Sequence, residues 1–230
     1  MNQLVTQGII LSRTDFGEAD RIITLLTPDS GKLRLMARGV RKSKSKLAGG
    51  VELFSISDIT YIRGRGEIGT LTSARLVVHY DKIVHDVNRT MLGYEMIKQL
   101  NKVTEDQPES EYFELLKQVF EALDDATISL ETIRFWFASR LLAQAGYSPN
   151  LYTDAAGQAL LAEKTYNFSF DDMTFCPAET GRMGADHIKF LRLAFSGNVP
   201  KVLSLVKNNA LLLPDLLPIV QTLMLNHIAR

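Results

Sequence analysis

"DRIITLLTPDSGKLRLMARGVRKSKSKLAGG", residues Asp20 to Gly50, decides the fold. It opens on a run rich in β-branched residues, Asp20 to Thr27, turns at Pro28 to Gly31, and resumes as Lys32, Leu33, Arg34, Leu35. A period of two puts Lys32 and Arg34 on one face of a strand and Leu33 and Leu35 on the other. One face is therefore basic and the other can enter a core. The strand then gives way to a stretch with Arg38, Arg41, Lys42, Lys44 and Lys46 and no acidic residue. Gly39, Ser43, Ser45, Gly49 and Gly50 are interspersed among them, which predicts a flexible loop rather than a helix face. A long loop between two strands is uncommon unless it has a task of its own.

On either side the same alternation continues. "LVTQGIILSRT" (Leu4–Thr14) precedes the stretch; "ELFSISDITYIR" (Glu52–Arg63) and "IGTLTSARLVVHY" (Ile68–Tyr80) follow it, joined by a turn at "GRGE" (Gly64–Glu67). Five strands within residues 1–80 are most simply accommodated by a small barrel, because closure removes exposed edges. The long connection between the third and fourth strands suggests an OB-fold. From Asp81 the period changes. Ile83, Val84, Val87, Met91, Leu92, Met96, Ile97 and Leu100 have helical spacing. "TEDQPES" (Thr104–Ser110) reads as a loop, and "EYFELLKQVFEALDD" and "SLETIRFWFASRLLAQAGY" as two helices, the second capped by Ser129 and ended by Gly146. Residues 147–184 read as irregular, and three more helices fill residues 184–230. The expected class is α+β and multi-domain: an OB-fold barrel over 1–80, then an all-α helical domain over 81–230.

The chain carries 26 basic and 26 acidic residues, but they are unevenly placed. Residues 1–80 hold 12 basic and 7 acidic residues, and residues 81–230 hold 14 and 19. Such asymmetry points to a polyanion-binding half joined to something else. Cys176 is the sole cysteine, so no intrachain disulfide forms. The first residues lack a secretory pattern, and Leu211–Ile228 is interrupted by Asp215, Pro218, Gln221 and Asn226, too polar for a membrane span. A cytoplasmic protein with no membrane partner is expected.

Other motifs carry less. Gly64-Arg65-Gly66-Glu67-Ile68-Gly69 fits G-x-G-x-x-G, but a strand follows where a dinucleotide site needs a helix, so the glycines read as a hairpin. His79, His85, His187 and His227 lie far apart with no ligand spacing. Asp15, Glu18 and Asp20 read as partners for nearby arginines, with magnesium binding as the alternative. OB-folds grip single strands by a basic groove and aromatic platforms. Among Phe16, Phe54 and Tyr61, Phe54 reads as core and Tyr61 as the candidate platform. Arg134 and Arg140, on the aromatic helix "IRFWFASRLL", are candidates to border a groove for an acidic, apolar peptide.

Taken in order, Gly8, Gly17-Glu18-Ala19-Asp20, Thr27 to Gly31, Ala37-Arg38-Gly39-Val40-Arg41 and Gly66-Glu67 with Leu71-Thr72 resemble the N-terminal domain of the RecO family of bacterial recombination mediators. "AQAGYSPNL" (Ala143–Leu151) resembles its helical part more loosely. The resemblance implies an OB-fold followed by a helical domain. It implies binding of single- and double-stranded DNA and annealing of complementary strands. It also implies action on DNA coated with single-stranded-DNA-binding protein (SSB) and, with RecR, loading of RecA. No nucleotide is used and no bond is cleaved. In the family the helical domain receives the SSB C-terminal tail, which associates Arg134 and Arg140 with that role. Many members hold zinc through C-x-x-C-G and C-P-x-C. Here Thr153, Ala156 and Glu179 replace three of the four thiolates and Cys176 alone is kept, so no cofactor is expected. Packing by Tyr166, Phe168, Phe170 and Phe175 is expected to hold that region instead.

The expected DNA-binding residues are Lys32, Arg34, Arg38, Arg41, Lys42, Lys44, Lys46 and Tyr61. Three other readings are open: an RNA-binding OB protein, a metal-dependent nuclease using Asp15, Glu18 and Asp20, and an adaptor whose loop grips an acidic protein.

Overall fold

The computed structural model describes residues 3–64, 66–104 and 110–228. Arg65 of the "GRGE" turn and residues 105–109 of the "TEDQPES" loop lie outside the described residues. The chain forms two compact units, Met1–Asp124 and Asp125–Arg230.

The first unit is built on five strands: β1 (Gln3–Phe16), β2 (Asp20–Thr27), β3 (Gly31–Ala37), β4 (Ser55–Ile62) and β5 (Ile68–His79). They close in the order β1-β2-β3-β5-β4, with β1 returning to β4, which is the OB-fold arrangement. All neighbours are antiparallel except β3 and β5, which pair in parallel from Arg34↔Ile68 to Met36↔Thr70. Alternation chooses the inward face: Ile10, Ile23, Leu25, Leu35, Ile59, Tyr61 and Leu71 fill the barrel.

Beyond the barrel, α1 (Asp81–Val84) and α2 (Val87–Val103) replace the single helix expected over this stretch. The cause is Asp86. Its carboxylate accepts from the Asn88 and Arg89 amides and caps a new helix. With α3 (Ser110–Asp124), α2 packs against β1 and β2, so this unit continues past the barrel. Phe54 joins the layers: its ring meets Tyr94 and Phe120 edge-on, at 5.3 and 5.5 Å. Any Cβ at Gly93 would stand 2.6 Å from that ring, so only glycine lets α2 approach so closely.

The return of the long loop to the barrel depends on a second glycine. Gly50 is buried, and a Cβ there would collide with the Ala74 carbonyl, whereas one at Gly49 meets nothing within 4 Å. Gly50→Ala should therefore destabilise the first unit by about 1–3 kcal/mol, the usual cost of overpacking, while Gly49→Ala stays near neutral. Urea midpoints of the two variants test this; equal midpoints would remove the close approach as a constraint.

The second unit contains α4 (Leu130–Gln144), α5 (Ala185–Phe195), α6 (Pro200–Ser204) and α7 (Asn209–His227). Ser129 caps α4 by accepting from the Thr132 amide, as its position in the sequence suggests. Trp136 and Phe135 are fully buried on α4; Phe135 stacks on Phe190 of α5 at 5.3 Å. Among the described residues no helix is long and apolar enough to cross a membrane.

Residues 147–184 are less irregular than expected. They contain a hairpin, β6 (Tyr166–Ser169) and β7 (Thr174–Pro177). Aromatic packing holds it: Phe175 meets Tyr166 at 6.1 Å and Phe168 at 5.4 Å, and Phe168 meets Phe170 at 5.2 Å. Hydrogen bonds fasten the preceding segment to it. Thr174 Oγ1 donates to the Thr153 carbonyl at 2.7 Å, the Ala155 amide to the Phe175 carbonyl at 3.0 Å, and the Asn150 amide to the Met173 carbonyl at 2.8 Å. The four positions do not fit a zinc ion. The Thr153 hydroxyl receives the Asn150 amide at 2.6 Å, Ala156 has no donor atom, and one thiol and one carboxylate remain.

Candidate nucleic-acid interface

The basic loop is pinned, contrary to the flexible segment expected. Val40 and Val51 at its ends plug the barrel core, exposed by 3% and 1%. At its start the loop rests on the β1–β2 hairpin. The Gly39 amide donates to Asp20 Oδ1 at 2.6 Å, and the Arg41 amide to the Ala19 carbonyl at 3.0 Å. Internal turns follow: the Lys42 amide reaches the Gly39 carbonyl and the Ser45 amide the Lys42 carbonyl. Gly39 adopts φ 65° and Gly17, at the hairpin tip, φ 57°, conformations that favour glycine. These bonds fix the course of the loop, with Leu47 packed against the barrel core and the basic side chains exposed.

Arg38, Arg41, Lys42, Lys44 and Lys46 are all exposed. Among the described residues, Arg38, Lys42, Lys44 and Lys46 have no acidic partner. Arg41 differs. Its guanidinium lies 3.5 Å from Asp15 and donates to the Gly17 carbonyl at 3.4 Å. Asp15 also accepts from Arg21 at 2.7 Å. The Arg21 hydrogen bond, helped by the charge of Arg41, holds the Asp15 carboxyl below the usual carboxylate range. Asp15 and Asp20 therefore serve the hairpin and the loop. Among the described residues no three His, Cys, Asp or Glu side chains gather as a metal site.

The basic track continues on the outer face of β3. Arg34 is exposed and stands 3.8 Å from Glu67. Opposite it, the exposed Arg63 joins Arg34 in lining a groove of about 450 Å³ between β3 and the β4–β5 connection. The sequence reading passed over Arg63. Its signal was its place just after a strand, in the β4–β5 connection that OB-folds use for oligonucleotides.

Four expected site residues are placed differently. Tyr61 is 2% exposed within the barrel core, so its ring offers no open platform for a base. Lys32 is half-buried, and its ammonium donates to the Asn101 carbonyl at the end of α2, at 2.9 Å. Arg140 donates to the Phe195 carbonyl at 3.3 Å and so fastens the end of α5. Arg134 is half-buried; six residues apart on a helix, the two arginines point about 120° apart. They do not edge a groove from one face of α4.

Comparison with known families settles the affiliation. Residues 1–80 match the model of the recombination protein O N-terminal domain, and residues 85–230 that of its C-terminal domain. The chain belongs to the RecO family. Among similar RecO proteins, the DNA repair protein RecO of Dehalococcoides mccartyi strain 195 is 32% identical over 214 residues, covering 90% of this chain and 84% of that protein. The RecO of Roseiflexus sp. is 34% identical over 165 residues, 71% of this chain and 57% of its own. That of Bacillus velezensis is 32% identical over 170 residues, 74% of this chain and 65% of its own.

Within the barrel, Asp15 is an internal competitor for Arg41. Asp15→Asn should free that guanidinium, raise affinity for a polyanion about two- to fivefold, and steepen its salt dependence by at most about 0.7. Because the carboxyl is held low, it is ionised throughout pH 5–8, so the gain should be constant across that range. Heparin elution and strand binding at pH 5.5 and 7.5 test this.

Proposed function

We propose that this protein is a DNA-binding mediator of repair and recombination that works without cleaving bonds. The observation that carries the reading is the loop Arg38–Lys46: a pinned backbone presenting four exposed cations with no acidic partner among the described residues. They lie on an OB barrel in a chain of the RecO family. Phosphate contacts of this kind supply affinity without sequence preference, which a general repair factor needs. The loop and the Arg34–Arg63 groove engage single- and double-stranded DNA. By neutralising two strands at once, they promote annealing. The second unit, which carries no net charge, 9 basic residues against 9 acidic, and so has no general attraction for a polyanion, serves protein partners: RecR, the SSB tail with Arg134 near its contact, and RecA indirectly.

The test is binding of the full chain to a labelled single strand from 0.05 to 0.4 M salt, with RNA as competitor and magnesium present. Four free loop cations predict a log–log slope of about −2.8 from the loop. No binding at moderate salt would overturn the reading in favour of an adaptor. Magnesium-dependent cleavage would overturn its non-catalytic part, and preference for RNA its DNA part.

A further inference from the structure

The first unit's barrel segment contains four aromatic residues, and three are hidden: Phe54, Tyr61 and Tyr80 are 1%, 2% and 6% exposed. Phe16 is 53% exposed. It ends β1, directly across the hairpin from Asp20, the residue that holds the Gly39 amide. On one side its neighbour Asp15 is tied to Arg21 and Arg41; on the other, the Gly17 carbonyl accepts from Arg41. The residues that fix the backbone of Phe16 are thus the residues that fix the basic loop. An exposed ring on a braced hairpin, next to a row of cations, has a natural occupant.

We propose that Phe16 is a stacking platform for an unpaired base, and that it gives this interface a preference for single strands over duplex. The inference rests on the DNA-binding reading above. The ring covers a base face and is itself removed from water, while Arg41 and the loop lysines meet the flanking phosphates. Every base has such a face, so the contact adds affinity without sequence preference. A duplex keeps its bases stacked on one another and gives the ring nothing but its ends. Phosphate contacts, in contrast, are made by both forms. The cations therefore set affinity for DNA in general, and Phe16 sets the ratio between the two forms.

The experiment compares wild type, Phe16→Ala and Phe16→Trp on an oligothymidine, the same strand with abasic sites, and a blunt duplex. Phe16→Ala is expected to bind the oligothymidine about tenfold more weakly, with an unchanged salt slope and unchanged affinity for the abasic strand and the duplex. Phe16→Trp is expected to restore binding. Equal loss on strand and duplex, or no loss on the strand while the wild type binds it, would overturn the platform and leave the DNA-binding reading standing. Failure of the wild type to bind any of the three would overturn both. Since the ring is exposed, its removal should leave the fold intact, which circular dichroism of each variant checks.

Discussion

Lys42→Glu/Lys44→Glu/Lys46→Glu should bind single-stranded DNA on the order of a hundredfold more weakly than the wild type at 0.1 M salt, since each lost contact forfeits the release of about 0.7 counterion. The log–log salt slope should flatten by about 2 at the same time. Weaker binding alone has many causes, but a slope change counts phosphate contacts. These three lysines are the better choice because Arg41 is not a free cation. A glutamate at that position would face Asp15 and spring the loop from the hairpin, mixing a structural effect with an electrostatic one. The lysines are exposed, so stability should move by no more than about 0.5 kcal/mol. An unchanged slope would place DNA elsewhere on the molecule.

Trp136→Ala should produce the largest loss of stability. The side chain is fully buried, and its indole N–H donates to the Asn198 carbonyl at 2.6 Å, bracing the turn between α5 and α6. Deleting such a side chain costs about 3–5 kcal/mol, and the orphaned carbonyl pushes the cost toward the upper end. For a unit of this size that corresponds to a fall of roughly 15 °C or more in melting temperature. Trp136→Phe, which keeps most of the volume and loses the hydrogen bond, should cost about 1–2 kcal/mol. Thermal melts followed by circular dichroism separate the two. A shift below about 5 °C for the alanine variant would mean that this core collapses around the gap. Trp136 is the sole tryptophan, so wild-type fluorescence reports on the second unit alone.

Much of the barrel is legible in the sequence because strand alternation is a local signal. The ends of β2 follow directly from "DRIITLLT", and Leu35 points inward as the period of two requires. The side chains that go astray do so where a third layer arrives. Lys32 lies on the outer face as expected, yet α2 ends beside it and supplies a carbonyl. Period two says which residues share a face, not what later covers that face. Tyr61 has Thr60 and Ile62 as neighbours, so polarity alone does not choose its side. The break between α1 and α2 had a readable sign in Asp86 ahead of Asn88 and Arg89, but a continuous apolar stripe outweighed it. The β6–β7 hairpin was hidden for a different reason: strands of four residues are too short for periodicity to register.

The anchoring of the loop by Val40 and Val51 has an evolutionary consequence. Ten residues lie between these two plugs; Leu47 and Gly50 are held against the barrel, but the side chains of Lys42, Lys44 and Lys46 are exposed and, among the described residues, make no ion pair with it. Lengthening a surface loop is cheap: doubling it costs only about 0.6 kcal/mol in closure entropy. Descendants of such a protein can therefore alter the number and spacing of loop lysines, and hence grip strength and salt tolerance, without renegotiating the stability of the scaffold. A species living in concentrated brine and one living in fresh water can share this barrel and differ in the loop alone.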